Sequence, residues 1–352
     1  MRRAVLYRIG GIVVVVTGFM FLLMSITPLP NAANNGFSRN LLSSSSLHEI
    51  TSYEFVEPLN KIVGISDDKI FLAGDSPTGL LAIDKKSGKT DTIVIRMNIP
   101  PDKMVPYCLE IDSNKLYLHL NNLQVVVSGS FSDDGIKVCS LNTQVFTKSV
   151  QISPEQLVIR TFNKDFSEQI FEKISSITGE KSKEKVVEEL MDGQGGMSTD
   201  GMLKFEKKSG RLFYVEAFRN RFYCMDTGLN LLYKHRTIDT ISTNAVGVAT
   251  EDSGDSTLKL IPGMARKNVN RDILLDEKYL YIVSNLRADN QSHSLFNNSV
   301  SLDRYQIVDG SYNGSIIINK IRNKAFKSSK IYKDELYALY DGKIVVYDLK
   351  TK

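Results

Sequence analysis

The sequence predicts an all-β fold in which small sheets stand in a closed ring, and three observations predict it. Six short stretches read alike: residues 69–73 (KIFLA), 115–119 (KLYLH), 156–160 (QLVIR), 211–215 (RLFYV), 279–283 (YLYIV) and 335–339 (ELYAL). Each follows a polar or turn-forming cluster and precedes a second apolar run, the period of a radial β-repeat. The last repeat is one strand short, while an extra strand-like stretch, residues 49–57 (EITSYEFVE), stands ahead of the first.

In chain order, residues 1–8 hold Arg2, Arg3 and Arg8 and no acid, and read as a cytoplasmic tail. Residues 9–26 (IGGIVVVVTGFMFLLMSI) are 18 positions without a charge. A helix of that length spans about 27 Å, close to the hydrocarbon core of a bilayer. Arginines on its amino-terminal side keep the tail inside and export the remainder, to the periplasm or the cell exterior. The expectation is an uncleaved transmembrane signal anchor. Secretion after signal-peptide cleavage is the alternative, but the run is longer than a usual h-region and no A-x-A site follows. Residues 27–47, with Asn34, Asn35, Gly36 and four consecutive serines, have the composition of a flexible stalk.

The repeats fill residues 48–352. Their key apolar positions, Ile70, Leu116, Leu157, Leu212, Leu280 and Leu336, are separated by 46, 41, 55, 68 and 56 residues. Radial blades run about 40–50 residues, so the longer units need insertions. Residues 181–190 (KSKEKVVEEL) read as a short charged helix, and residues 239–271 as an extended loop. Within a unit, a first strand leads to a turn, the signature strand follows, and a third strand comes after it: 80–84, 124–128, 169–174, 221–226, 302–308 and 343–349. A fourth is expected where the chain allows, as at 91–96. Residues 49–57 are expected to pair with residues 343–349 and complete the last sheet, removing the open edge that would invite aggregation. The fold class is therefore an all-β, six-bladed β-propeller closed by an N-terminal strand and preceded by one transmembrane helix. A seventh, degenerate blade in residues 240–262 is the structural rival.

On these signature strands and turns, residues 48–352 resemble six-bladed TolB-like and NHL-like β-propellers, in particular membrane-tethered or secreted bacterial ones of unassigned function. The resemblance lies in the pattern of strands and turns. No WD dipeptide and no recurring di-glycine repeat is present, so it implies a fold and carries no functional residue across.

Chemistry is sparse. The formal charge is +4, and the three arginines of the tail supply most of it, which argues against nucleic acid as a partner. His48, His119, His235 and His293 share no metal-ligand spacing and read as surface or strand-end residues. Asp67 with Asp68, Asp133 with Asp134, and Glu251 with Asp252 and Asp255 read as turn formers rather than Ca²⁺ loops. Residues 192–196 (DGQGG) lack the strand–loop–helix context of a phosphate cradle. No G-x-S-x-G elbow occurs. Cys108, Cys139 and Cys224 fit neither a zinc site nor a CxxC pair and read as inert thiols, with a Cys108–Cys139 disulfide open in an oxidising compartment. No catalytic residue, cofactor or metal site is assigned.

The expected function is an exported, membrane-tethered binding or scaffolding module, with the bilayer as one partner and a protein or small molecule at the ring channel as another. Two other classes stay compatible with the residues: a metal-dependent propeller hydrolase or lactonase, and a sensor or assembly subunit of a membrane complex. Converging Asp, Glu, Asn and His in the channel would favour the enzyme.

Overall fold

The computed structural model describes residues 2–26, 35–42, 47–130, 136–191, 195–243, 248–252, 258–262 and 267–350. Arg2–Ile26 is one α-helix of 25 residues. Its described side chains, Arg8, Gly10 to Met20 and Leu22, are exposed. Among the described residues no helix is long and apolar enough to cross a membrane. Positions 9, 21 and 23–26 of the expected span have side chains outside that description.

The rest is built from four-stranded antiparallel units. Sheet one holds Lys61–Ile65, Lys69–Ala73, Gly79–Asp84 and Thr90–Val94; sheet two holds Tyr107–Asp112, Lys115–Leu120, Val125–Ser130 and Lys137–Ser140. Sheet three holds Phe146–Ser153, Gln156–Phe162, Gln169–Ser175 and Lys181–Lys185; sheet four holds Gly201–Glu206, Arg211–Glu216, Arg221–Asp226 and Leu231–Arg236. Sheet five holds Asn270–Leu275, Tyr279–Ser284, Ser299–Gln306 and Tyr312–Asn319. Sheet six holds Phe326–Tyr332, Glu335–Tyr340 and Lys343–Asp348, and its fourth strand is His48–Glu54. All six signature stretches are second strands, where buried β-branched and aromatic residues suit a pleated surface packed on both faces.

The first strand of each sheet lies innermost and meets the first strand of the next. Phe326–Tyr332 of sheet six returns to Lys61–Ile65 of sheet one, where the Ile62 amide donates to Ser328 Oγ at 3.1 Å. The ring is thus closed, as in a β-propeller. Sheets one and two come close enough for one parallel pair, Gly64 with Ile111. A Cβ at Gly64 would lie 2.6 Å from the Ile111 carbonyl oxygen, so glycine is what permits the approach. The expected strand closure is present: His48 pairs with Asp348 and Glu54 with Lys343.

The core is a set of apolar layers between neighbouring sheets. Val63, Phe71 and Leu118 fill the seam between sheets one and two. Val158, Leu203 and Tyr214 fill that between three and four, and Phe213, Ile282 and Tyr305 that between four and five. Leu302 and Leu336 join five to six, and Ile70 and Leu339 join six to one. The seam between sheets two and three is thinner, with Val126, Phe146, Leu157 and Ile174. Polar side chains complete it. His119 lies fully buried there, its Nδ1 2.9 Å from Ser149 Oγ and its Nε2 3.1 Å from Gln151 Oε1.

Three expectations need correction, and one alternative left open is closed. Residues 181–185 form the outer strand of sheet three and Glu188–Leu190 a single 3₁₀ turn. The charge pattern had favoured a helix, but an outermost strand also tolerates charges on both faces, and Lys181 bridges Glu172 and Glu184. All three cysteines are free. Cys108, His119, Val126 and Cys139 lie opposite one another on four successive strands, so the two thiols are three strand spacings apart, about 14 Å, too far for a bridge. His119 is no surface residue. Finally, residues 35–42, placed in a flexible stalk, are packed against sheet five; residues 27–34 and 43–46 lie outside the description. Residues 240–262 contain a hairpin, Val248–Asp252 with Leu258–Pro262, that pairs only with itself among the described residues.

Candidate functional site

Lys204, Asp272, Glu110 and Lys330 stand on the innermost strands of sheets four, five, two and six. Lys204 feels the charges of Asp272 and Glu110, and Lys330 feels Lys204 and Glu110. Sheets two and five face each other across the ring, so one lysine can be near both only within the central channel. Lys204 is exposed to solvent although protein stands on several sides of it. Among the described residues no ion pair within 4.0 Å joins any two of these four. The ring holds them apart. Lys330 Nζ donates to the Val63 carbonyl at 3.4 Å, and Asp272 Oδ1 accepts from the Ile273 amide at 2.8 Å.

Burial and mutual charge set their proton affinities. Desolvation pulls Lys204 down, but Asp272 and Glu110 outweigh it and hold its pKa above the ordinary lysine value. Desolvation dominates at Lys330, assisted by repulsion from Lys204, and lowers its pKa. Burial raises Asp272 in spite of Lys204. The Cys108 thiol, beside Glu110 in the same wall, is pushed by desolvation up to about 11 and stays protonated and unreactive at neutral pH.

A cavity of about 310 Å³ opens above Glu110, between the turns that link first and second strands in sheets two, three and four. Tyr117, Ile152, Pro154 and Phe205 give it an apolar wall, and Asp112 and Lys207 form an ion pair at its rim. Gln151 joins this wall to the buried seam, because it also contacts His119 and donates to the Ser153 carbonyl at 2.6 Å. Of the four channel charges, Glu110 lines this cavity and stands beside its apolar wall.

A second buried constellation lies elsewhere. Arg39 is fully buried against sheet five: Nε donates to Asp303 Oδ1 at 2.7 Å, Nη2 to Asp303 Oδ2 at 3.0 Å, and Nη1 to the Leu286 carbonyl at 3.0 Å and Gln291 Oε1 at 2.5 Å. Phe37 packs on Val269, Leu286 and Ala288. Asp289 receives the amides of Asn35 and Gly36 at 2.8 and 2.9 Å. The buried polar groups of this segment are held by sheet five and its loops, which marks the segment as structural.

The residues singled out in the sequence do not gather. His48 begins the closing strand, His235 is exposed beside Phe222, and His293 opens a short helix. Asp67 pairs with Lys333 at the surface, and Asp133, Asp134 and Asp255 lie outside the described residues. Among the described residues no three His, Cys, Asp or Glu side chains are placed to hold a metal ion. The channel charges were missed, although they leave a trace. Glu110, Lys204 and Lys330 each stand opposite the third residue of a signature strand, Tyr117, Phe213 and Tyr337.

No known protein family matches the chain, and no curated protein matches it. Solved structures do. A member of the DUF4221 family from Bacteroides vulgatus aligns with 86% of this chain and 97% of its own, at 12% identity and a TM-score of 0.51. A streptogramin B lyase aligns with 85% and 97% at 11% identity and a TM-score of 0.48, and BamB from Moraxella catarrhalis with 86% and 99% at 13% identity and 0.42. These are β-propeller proteins, and the likeness to the first is one of fold.

Proposed function

We propose that this protein is an exported, membrane-tethered binding module. In this reading it is a six-bladed propeller, held to a bilayer by the helix over residues 9–26, whose channel takes up a small ligand carrying charges of both signs. Six four-stranded units, with residues 248–262 as an appended hairpin, support the blade count. The uncharged run behind Arg2, Arg3 and Arg8 supports the tether and its direction. The binding role is carried by one observation: four ionisable side chains converge in the channel from four sheets without pairing among themselves. Charges that serve only the fold are paired when they leave bulk water; these are left available to a third party.

A free amino acid or short peptide matches the chemistry. Its carboxylate suits Lys204 and Lys330, its ammonium Glu110, and an apolar side chain the wall of Ile152, Pro154 and Phe205. The test is calorimetry on the full-length, detergent-solubilised protein with free L-amino acids, dipeptides, and their N-acetyl and C-amide forms. At least one apolar dipeptide is expected to bind, with a tenfold loss, about 1.4 kcal/mol, when either terminus is blocked. Lys204→Met should remove binding. Failure of every compound to bind more tightly than about 10 mM would overturn this ligand class. The tether is checked separately by co-flotation with lipid vesicles.

A further inference from the structure

The molecule has two faces, and the chain uses them differently. In every sheet the first and third strands run toward the same end, so the turns after them share one face. Asp112, Pro154, Lys207 and the cavity lie on that face. The connections after second and fourth strands share the opposite face. There Asn35 Nδ2 donates to the Arg287 carbonyl at 2.8 Å, its backbone amide to Asp289, and Thr240 Oγ1 to the Asn35 carbonyl at 2.5 Å. The amino-terminal segment therefore meets the ring on the face away from the cavity.

Resting on the tethered reading above, we infer that the ring is oriented at the membrane, with the face bearing Arg287, Asp289 and Thr240 toward lipid and the cavity mouth toward the aqueous compartment. The clamp at residues 35–42 makes this follow. Nine residue steps separate Ile26, the end of the helix, from Asn35, and even fully extended they reach about 30 Å. A free stalk through residue 47 would have reached about 70 Å and let either face turn to the bilayer. A solute taken up by the channel would then enter from solution rather than from the lipid surface, and a soluble partner would meet the rim around Asp112 and Lys207.

The test places one fluorophore at a time on sheet five of the full-length protein in vesicles that carry a lipid-borne quencher. Val308→Cys marks the cavity face and Asn297→Cys the opposite one, in a Cys108→Ser, Cys139→Ser background, Cys224 being buried. The third strand of sheet five, Ser299–Gln306, separates the two sites by about 27 Å. Quenching at Asn297 is expected to exceed that at Val308 severalfold. A Gly/Ser insertion of about 20 residues after Pro30 should erase the difference without touching the ring. Equal or reversed quenching in the uninserted protein, or a difference that survives the insertion, would overturn the orientation and leave the tether standing. Loss of flotation would remove both.

Discussion

Arg39 and Lys204 are both surrounded by protein, and the ring treats their charges in opposite ways. Arg39 meets Asp303 through two hydrogen bonds and donates two more, to Leu286 and Gln291. Lys204 has carboxylates near it from two other sheets and touches neither. A buried charge costs several kcal/mol unless its partners replace water. Arg39 has exchanged water for partners; Lys204 remains exposed to solvent. The difference teaches how to separate architecture from a candidate site in a ring that lacks a recognisable motif: saturated charges hold the fold, and unsaturated ones in the channel are where the proposed ligand is to be sought.

The largest effect is expected at the saturated site. Arg39→Ala leaves the Asp303 carboxylate buried with Ser315 Oγ as a remaining side-chain donor, at 2.6 Å. The expected loss is about 3–5 kcal/mol in chemical denaturation, the range for breaking one side of a buried pair. Adding Asp303→Asn should recover part of it, since the orphaned charge is then gone. Residues 35–42 should also become open to protease in the single variant. A loss below about 1 kcal/mol, the scale of a surface pair, would mean the clamp is incidental and would erase the contrast.

Arg39 also marks where the sequence stopped being legible. The signature strands and the closing strand could be read locally, because alternating β-branched and aromatic residues between turn formers have few other uses. The clamp could not. Asn34, Asn35, Gly36 and the serines look like linker composition, and the partner of Arg39 is 264 positions away. Residues 181–185 show the same limit in another form: pairing with residues 171–174 decided their state over a helix-like charge pattern. The channel residues lay between these cases. A lone charge opposite the third residue of a signature strand is visible in three of them, but only the ring brings these together with Asp272.

At the unsaturated site the stability effect should be small. Lys204→Met removes a solvated charge from the channel and leaves the carboxylates of Asp272 and Glu110 without a neighbouring cation from sheet four. Thermal and chemical denaturation should register a change within about 1 kcal/mol in either direction. Asp272, raised by desolvation even beside Lys204, should rise further when that cation is gone, a shift that carboxyl NMR can follow. A loss of several kcal/mol would place Lys204 in the same class as Arg39.

His119 tests the comparison at its middle term, a buried polar group that is saturated yet touches the cavity through Gln151. Burial holds its pKa below the ordinary value, outweighing the help of Glu110 and Gln151. The neutral ring fits its partners if Nε2–H donates to Gln151 Oε1 and Nδ1 accepts from Ser149. The unfolded chain takes up the proton first, so the stability contribution is complete above pH 6.5 and is lost as pH falls through that value toward the depressed folded one. The slope is at most about 1.4 kcal/mol per pH unit. Denaturation curves from pH 7.5 to 5 for the wild type and His119→Gln isolate this component, because Asp272 and the other titrating carboxylates are common to both. The wild type should lose stability more steeply. Parallel curves would mean that His119 is protonated as readily in the folded ring as outside it, and that the seam between sheets two and three is open to water.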